Sequence, residues 1–166
     1  GASLVNDIIG LNNKMARIVS KYKAGVVIMH MKGNPRTMQN NPVYNSLIDE
    51  IIEYLDKAIS EAVAWGIDRE RIIVDPGIGF GKTLTHNLEI LKRLKEIKIL
   101  GRPILVGPSR KSFIGKILNA GPKARIFGTV SASILAAKNG ANIIRVHDVQ
   151  AVKQAIKVLN TINNLR

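Results

Sequence analysis

The stretch Asp75-Pro76-Gly77-Ile78-Gly79-Phe80-Gly81-Lys82-Thr83 sets a carboxylate, three glycines and a lysine directly after the apolar run Ile72-Ile73-Val74. A P-loop needs a glycine five positions before the glycine of its Gly-Lys-Thr, and Pro76 stands there instead. The dinucleotide fingerprint Gly-x-Gly-x-x-Gly fails too, because Lys82 holds its last position. What is left is a carboxylate that can accept hydrogen bonds at a strand end. The glycines after it let backbone approach a flat or anionic ligand closely.

Four more polar groups follow apolar runs: Asn6-Asp7, His30, Ser109-Arg110-Lys111-Ser112 and Arg145-Val146-His147-Asp148. Guanidinium, ammonium and imidazole groups suit an anionic substrate. Each group also has a plain structural reading: Asp148 and Asp75 as helix caps, Asn6 and Asp7 as turn formers, His30 as a satisfied strand-end histidine. In parallel α/β folds the carboxyl ends of the strands converge, so five polar groups at one such face point to function. His30, His147 and Asp75 are the side chains a transition metal would use. No His-x-His or His-x-x-x-His pair supports them, and no metal site formed by this chain is expected. The chain has no cysteine, which excludes a thiolate zinc site, a disulfide framework and a cysteine nucleophile. There is no serine elbow either.

These groups need elements to hold them. Short β-rich runs over residues 3–8, 25–30, 71–75, 103–107 and 141–146 alternate with helical periodicity over 12–22, 46–64, 85–97, 111–138 and 149–162. The pattern is βα repeated five times, with strands apolar throughout, as a parallel sheet covered by helices requires. Leu47, Ile51, Leu55, Ala58 and Ala62 form the buried stripe of the second helix, which Ser46 and Asp49 start as a capping-box pair and Gly66 stops. Asp148 is expected to cap the last helix, with Val152, Ala155 and Leu159 facing the core. Residues 32–44 read as a surface connection. A doubly wound sheet fits 166 residues, and one domain is expected; a (β/α)8 barrel fits the unit spacing but takes about 250 residues.

The net charge of +13 raises the question of nucleic acid. The cations are scattered, only 4% of residues are aromatic, and no reader motif is present, so no nucleic-acid partner is expected. No apolar run approaches the ~20 residues of a membrane helix, so no membrane partner is expected, and a cytoplasmic location is.

Together VNDIIG, VVIMHMKGNPRTMQ, IIVDPGIGFGKTLTHNLEILKRL, ILVGPSRKSFIG and IIRVHDV resemble dihydropteroate synthase, over essentially the whole chain. The resemblance implies a (β/α)8 TIM barrel, here a partial barrel of five βα units corresponding to strands four to eight. It implies a transferase of folate biosynthesis, the sulfonamide target, condensing 6-hydroxymethyl-7,8-dihydropterin pyrophosphate with p-aminobenzoate. In that family Asp75 and Asn6 would meet the pterin edge, and Lys111 its carbonyl oxygen. Arg145 would stack on the pterin and face the phosphates with His147. Ser112 would stand on the p-aminobenzoate side, and Phe80 and Gly107 would complete the substrate site. Lys111, Arg145 and His147 are the implied catalytic residues. Mg2+ is the implied cofactor, with its ligand in the family's first three βα units, which have no counterpart here. A homodimer is implied through residues 121–139 and the C-terminal helix. Two alternatives are a pterin-binding methyltransferase-type barrel and a non-catalytic pterin-binding fragment.

Overall fold

The computed structural model describes residues 1–165. Five strands, β1 (Leu4–Asp7), β2 (Gly25–Met29), β3 (Ile72–Asp75), β4 (Leu105–Val106) and β5 (Ile143–Ile144), alternate with helices. The helices are α1 (Asn13–Lys21), α2 (Leu47–Ala64), α3 (Leu84–Arg93), α4 (Ser112–Leu118), α5 (Ile126–Lys138) and α6 (Val149–Asn163). All pairings are parallel. β1 pairs with β2 (Asn6 opposite Val27), β2 with β3 (Ile28 opposite Val74), and β4 with β5 (Val106 opposite Ile144). A parallel bridge between Val74 and Ile104, with the Val74 N–H donating to the Pro103 carbonyl at 2.9 Å, joins β3 to β4. The spatial order is therefore the chain order. A doubly wound sheet reverses direction at a switch point and this one does not, which corrects the preference that chain length alone suggested.

Val26, Val27, Ile28 and Met29 of β2 are all buried, so this strand is covered on both faces, as its unbroken apolar run predicts. On α2 the stripe Leu47, Ile51, Leu55 and Ala62 is buried as expected, with Ile48 and Ile59 beside it, while Ala58 is half-buried. On α6 only Val152 of the expected stripe is fully buried; Ala155 and Leu159 are half-buried.

Several local expectations are corrected. The helix expected over 111–138 is two, because Asn119 turns left-handed at φ 47° and Gly121-Pro122 starts a separate 3-10 turn, where proline has no N–H to continue a helix. The helix expected over 85–97 ends as α-helix at Arg93 and continues as 3-10 helix over Leu94–Leu100. Ser46 stands at the N-cap of α2 without capping: its hydroxyl donates to Asp49, and Glu50 takes the Asn45 N–H at 2.7 Å. Asp148 is at the N-cap position of α6 but makes no cap bond, since Arg110 engages its carboxylate. The 32–44 segment is more than a surface connection. The Gln39 amide donates to the Gly79 carbonyl and the Tyr44 hydroxyl to the Gly81 carbonyl, both at 2.8 Å, while Lys32 pairs with Glu50 at 2.9 Å. No helix among the described residues is long and apolar enough to cross a membrane.

Candidate active site at the strand ends

Asp75 closes β3 and is 1% exposed. Its Oδ1 accepts the Gly77 N–H at 2.7 Å, and its Oδ2 lies 3.6 Å from Nη2 of Arg145. Burial raises its pKa, opposed by the Gly77 hydrogen bond and the charges of Arg145, Lys82 and Lys111. Gly77 makes the tight turn after the carboxylate possible. Its φ of 72° suits glycine, and a Cβ there would overlap the His30 carbonyl oxygen.

Arg145 follows β5 and donates from Nη1 to Oδ1 of Asn6, the residue before the end of β1, at 2.6 Å. One guanidinium thus ties together the ends of β1, β3 and β5 across the open face. Among the described residues the Asn6 amide nitrogen has no hydrogen-bond partner. Gly107, after β4, gives the guanidinium its space, because a Cβ would stand 2.9 Å from Nη2. Lys111, at the N-cap position of α4, holds its Nζ 4.0 Å from the centre of the Phe80 ring, a cation–π contact. Burial lowers the Lys111 pKa, Asp75 raises it and Arg145 lowers it. Ser112 opens α4 beside it and is exposed. The ring of His147 shares a hydrogen bond through Nδ1 with the Ser109 hydroxyl at 2.8 Å, and its backbone N–H donates to the same oxygen at 3.2 Å. That fixes the ring and frees Nε2. Gly107, Ser109, Lys111, Arg145, Val146 and His147 border a cleft of about 210 Å³. Larger hollows, of about 410 and 550 Å³, lie at the opposite strand ends around Ala24 and Arg71, away from these groups.

The structure thus gathers Asn6, Asp75, Phe80, Gly107, Lys111, Arg145 and His147 at one face, with Ser112 at its edge. It does not gather the three side chains weighed as metal ligands: His30 faces Lys82 at 2.9 Å and His147 faces Ser109. Among the described residues no cluster of three or more His, Asp or Glu stands where it could hold a metal ion. The carboxylates on this face are engaged, Asp7 by the Ile9 N–H, Asp75 by Gly77 and Arg145, and Asp148 by Arg110. These residues do not fit a magnesium ion.

Three groups support the site in ways the sequence reasoning did not foresee, although it named Arg110 and Lys82. Arg110 grips Asp148 in a bidentate pair at 3.1 and 2.8 Å, with its backbone at φ 56° and its N–H on the Thr129 hydroxyl at 3.1 Å. Asn87, buried in α3, accepts the Gly79 N–H at 2.6 Å. Lys82 is 3% exposed. Lys82 entered the sequence reading only in the test of the nucleotide motifs, and nothing in the spacing marked Asn87.

The family model described as pterin binding enzyme matches residues 1–147. A dihydropteroate synthase of Synechocystis sp. is 46% identical over 165 residues, covering 98% of this chain and 57% of the relative. That of Escherichia coli strain K12 is 42% identical over 160 residues, covering 96% and 57%. The crystal structure of the Yersinia pestis dihydropteroate synthase with a sulfonamide drug complex superposes with a TM-score of 0.97 at 39% identity, covering 99% of this chain and 60% of that one. The chain spans a little over half the length of the curated relatives it matches, and its five units form part of a (β/α)8 barrel. Because the family match spans residues 1–147, which hold all five strands together with Asn6, Asp75, Lys111, Arg145 and His147, the chain belongs to the pterin-binding enzymes.

Proposed function

We propose that this chain is the strand-four-to-eight part of a dihydropteroate synthase, joining 6-hydroxymethyl-7,8-dihydropterin pyrophosphate to p-aminobenzoate. The observation that carries the reading is the pairing of one buried carboxylate, Asp75, with the cation and donor array of Lys111, Arg145 and His147 at the same face. A pterin offers a ring N–H and an amino group side by side, and a carboxylate accepts both. Gly77 takes one lone pair of Asp75, which leaves acceptor capacity on both oxygens. The Asn6 amide serves the neighbouring ring edge. Lys111 donates to the pterin carbonyl oxygen while the Phe80 ring supports its ammonium.

In the reaction the bond between the pterin methylene carbon and the pyrophosphate oxygen breaks, and the bond from the amine nitrogen to that carbon forms. The leaving oxygen takes the electron pair, and the amine proton passes to solvent. Negative charge grows on the leaving group, where fixed cations stabilise it most in the transition state. Arg145 and His147, held by Asn6 and Ser109, are already oriented for that charge. An aniline nitrogen is nucleophilic without a general base. Ser112, exposed beside Lys111, is the p-aminobenzoate contact and the place where a sulfonamide would compete. Mg2+ belongs to this reading as cofactor, with its ligands outside the engaged carboxylates of this face. A second copy of the chain is the assigned partner, docking on 121–139 and α6, where Phe127, Leu135, Val158 and Ile162 are exposed. A cytoplasmic location accords with the lack of cysteine.

Fluorescence titration with 6-hydroxymethylpterin pyrophosphate tests the reading. Asp75→Asn should weaken binding roughly 10- to 100-fold, as expected for hydrogen bonds to a charged group. Equal binding by both forms would sink it. Turnover by the chain with p-aminobenzoate separates the transferase from a binding-only fragment.

A further inference from the structure

Lys82 has no part in the chemistry above, yet it is 3% exposed. A buried ammonium is costly unless partnered, and an apolar side chain would fill the space at less cost, so the charge calls for a reason. Its Nζ donates to Nδ1 of His30 and to the Phe80 carbonyl oxygen, both at 2.9 Å. His30 is itself fixed: its backbone N–H donates to the Asp75 carbonyl at 2.9 Å, and its ring meets Tyr54 edge-on with centroids 4.9 Å apart. Lys82 therefore bolts the glycine loop to the end of β2. With its carbonyl held, Phe80 presents its ring to Lys111 at 4.0 Å.

The same ammonium stands beside the turn that holds Asp75: its Nζ lies 3.4 Å from where a Cβ on Gly77 would be, and the Gly77 N–H is the donor to the carboxylate. The groups facing that carboxylate are the Gly77 N–H, Arg145, Lys82 and Lys111, all opposing the burial that drives it towards the neutral form. The charged groups facing Lys82 are Asp75 and Lys111, and burial brings Lys82 down to about 7. Burial and then Lys82 lower His30 to about 3, with Lys32 adding to the effect and Glu50 opposing it, so His30 is neutral and its Nδ1 accepts.

We propose that Lys82 is a positioning residue of the pterin site, fixing the glycine loop to β2 and serving as the counter-charge that keeps Asp75 an acceptor. This rests on the reading of Asp75 as the pterin carboxylate. Without Lys82, Asp75 takes up its proton at higher pH, and a protonated carboxyl accepts one donor fewer. A side chain that only filled space would have neither effect.

The test is an NMR titration of the full chain between about pH 4 and 10, following the Asp75 carboxyl carbon and the Lys82 Nζ. In the unsubstituted chain the Asp75 signal should show a second inflection where Lys82 loses its proton, the mark of coupled sites. In Lys82→Met the Asp75 midpoint should rise by about one pH unit or more. The affinity of that variant for 6-hydroxymethylpterin should fall, and the loss should deepen as pH falls. An Asp75 curve without the inflection overturns the counter-charge role even if the variant does not fold, and so does a pH-independent loss of affinity. Coupled titration in a chain that binds no pterin in any form overturns instead the pterin reading of Asp75, and with it this role for Lys82.

Discussion

A methyl group added at Gly107 would stand 2.9 Å from Nη2 of Arg145, closer than carbon and nitrogen rest together. The clash falls on the far end of a flexible side chain, so folding absorbs it and the guanidinium moves. Arg145 would then lose its register with Asn6 and Asp75. Gly107→Ala should cost roughly tenfold in affinity for pterin pyrophosphate, with a thermal midpoint moved by no more than about 2 °C. Calorimetry and a binding titration on the same sample check both halves; a large loss of stability with unchanged affinity would contradict the account. At this scale the sequence was informative where a residue closes a strand. Asp75, Lys111, Arg145 and His147 could be placed from apolar runs ending in polar groups. Asn87 could not, because a polar residue in a helix gives no sign of which backbone N–H will come to it across the fold.

The Ser109–Ser112 turn and the segment between β5 and α6 are two elements held as one. Arg110 bridges them through Asp148, and Ser109 adds a second tie through its hydrogen bonds with Nδ1 and the backbone N–H of His147, while Arg125 holds the turn to the start of α5 by donating to the Arg110 carbonyl at 2.9 Å. The strongest influence on each partner's pKa is this mutual hydrogen bond, which raises Arg110 and lowers Asp148. Both side chains touch solvent, so the pair contributes alignment more than stability. Asp148→Asn should leave affinity for 6-hydroxymethylpterin unchanged and weaken binding of its pyrophosphate a few-fold, since one bond of the bidentate grip goes and His147 loosens. Equal losses for both ligands would show that the bridge serves the pterin as much as the phosphates. Here sequence reasoning erred instructively. Capping preference placed Asp148 at the start of α6 correctly, but a guanidinium distant in sequence outcompeted the local N–H groups for its carboxylate. The same limit explains the helix expected over 111–138, where periodicity carried across Asn119 to Pro122 although the backbone leaves the helix there.

The repeat of five βα units was legible because period-two and period-3.6 patterns alternate so regularly, and strand order was the part that was not. Length favoured a doubly wound sheet; only the pairing of each strand with its chain neighbours distinguishes the barrel arc. β2 and β3 are paired on both sides, whereas among the described residues β1 pairs only with β2 and β5 only with β4. Amide hydrogen exchange should therefore be faster in Leu4–Asp7 and Ile143–Ile144 than in Gly25–Met29, with protection differing by at least about tenfold. Uniform protection across the sheet would mean that the outer strands find further partners in solution. Because every strand runs the same way, Gly1, exposed ahead of β1, lies at the end remote from Asp75 and Arg145. A cysteine introduced at Ala2, in a chain that has none, would anchor the molecule to a sensor surface with its binding face towards the flowing sample. Random coupling through lysines offers no such orientation, and it risks consuming Lys111.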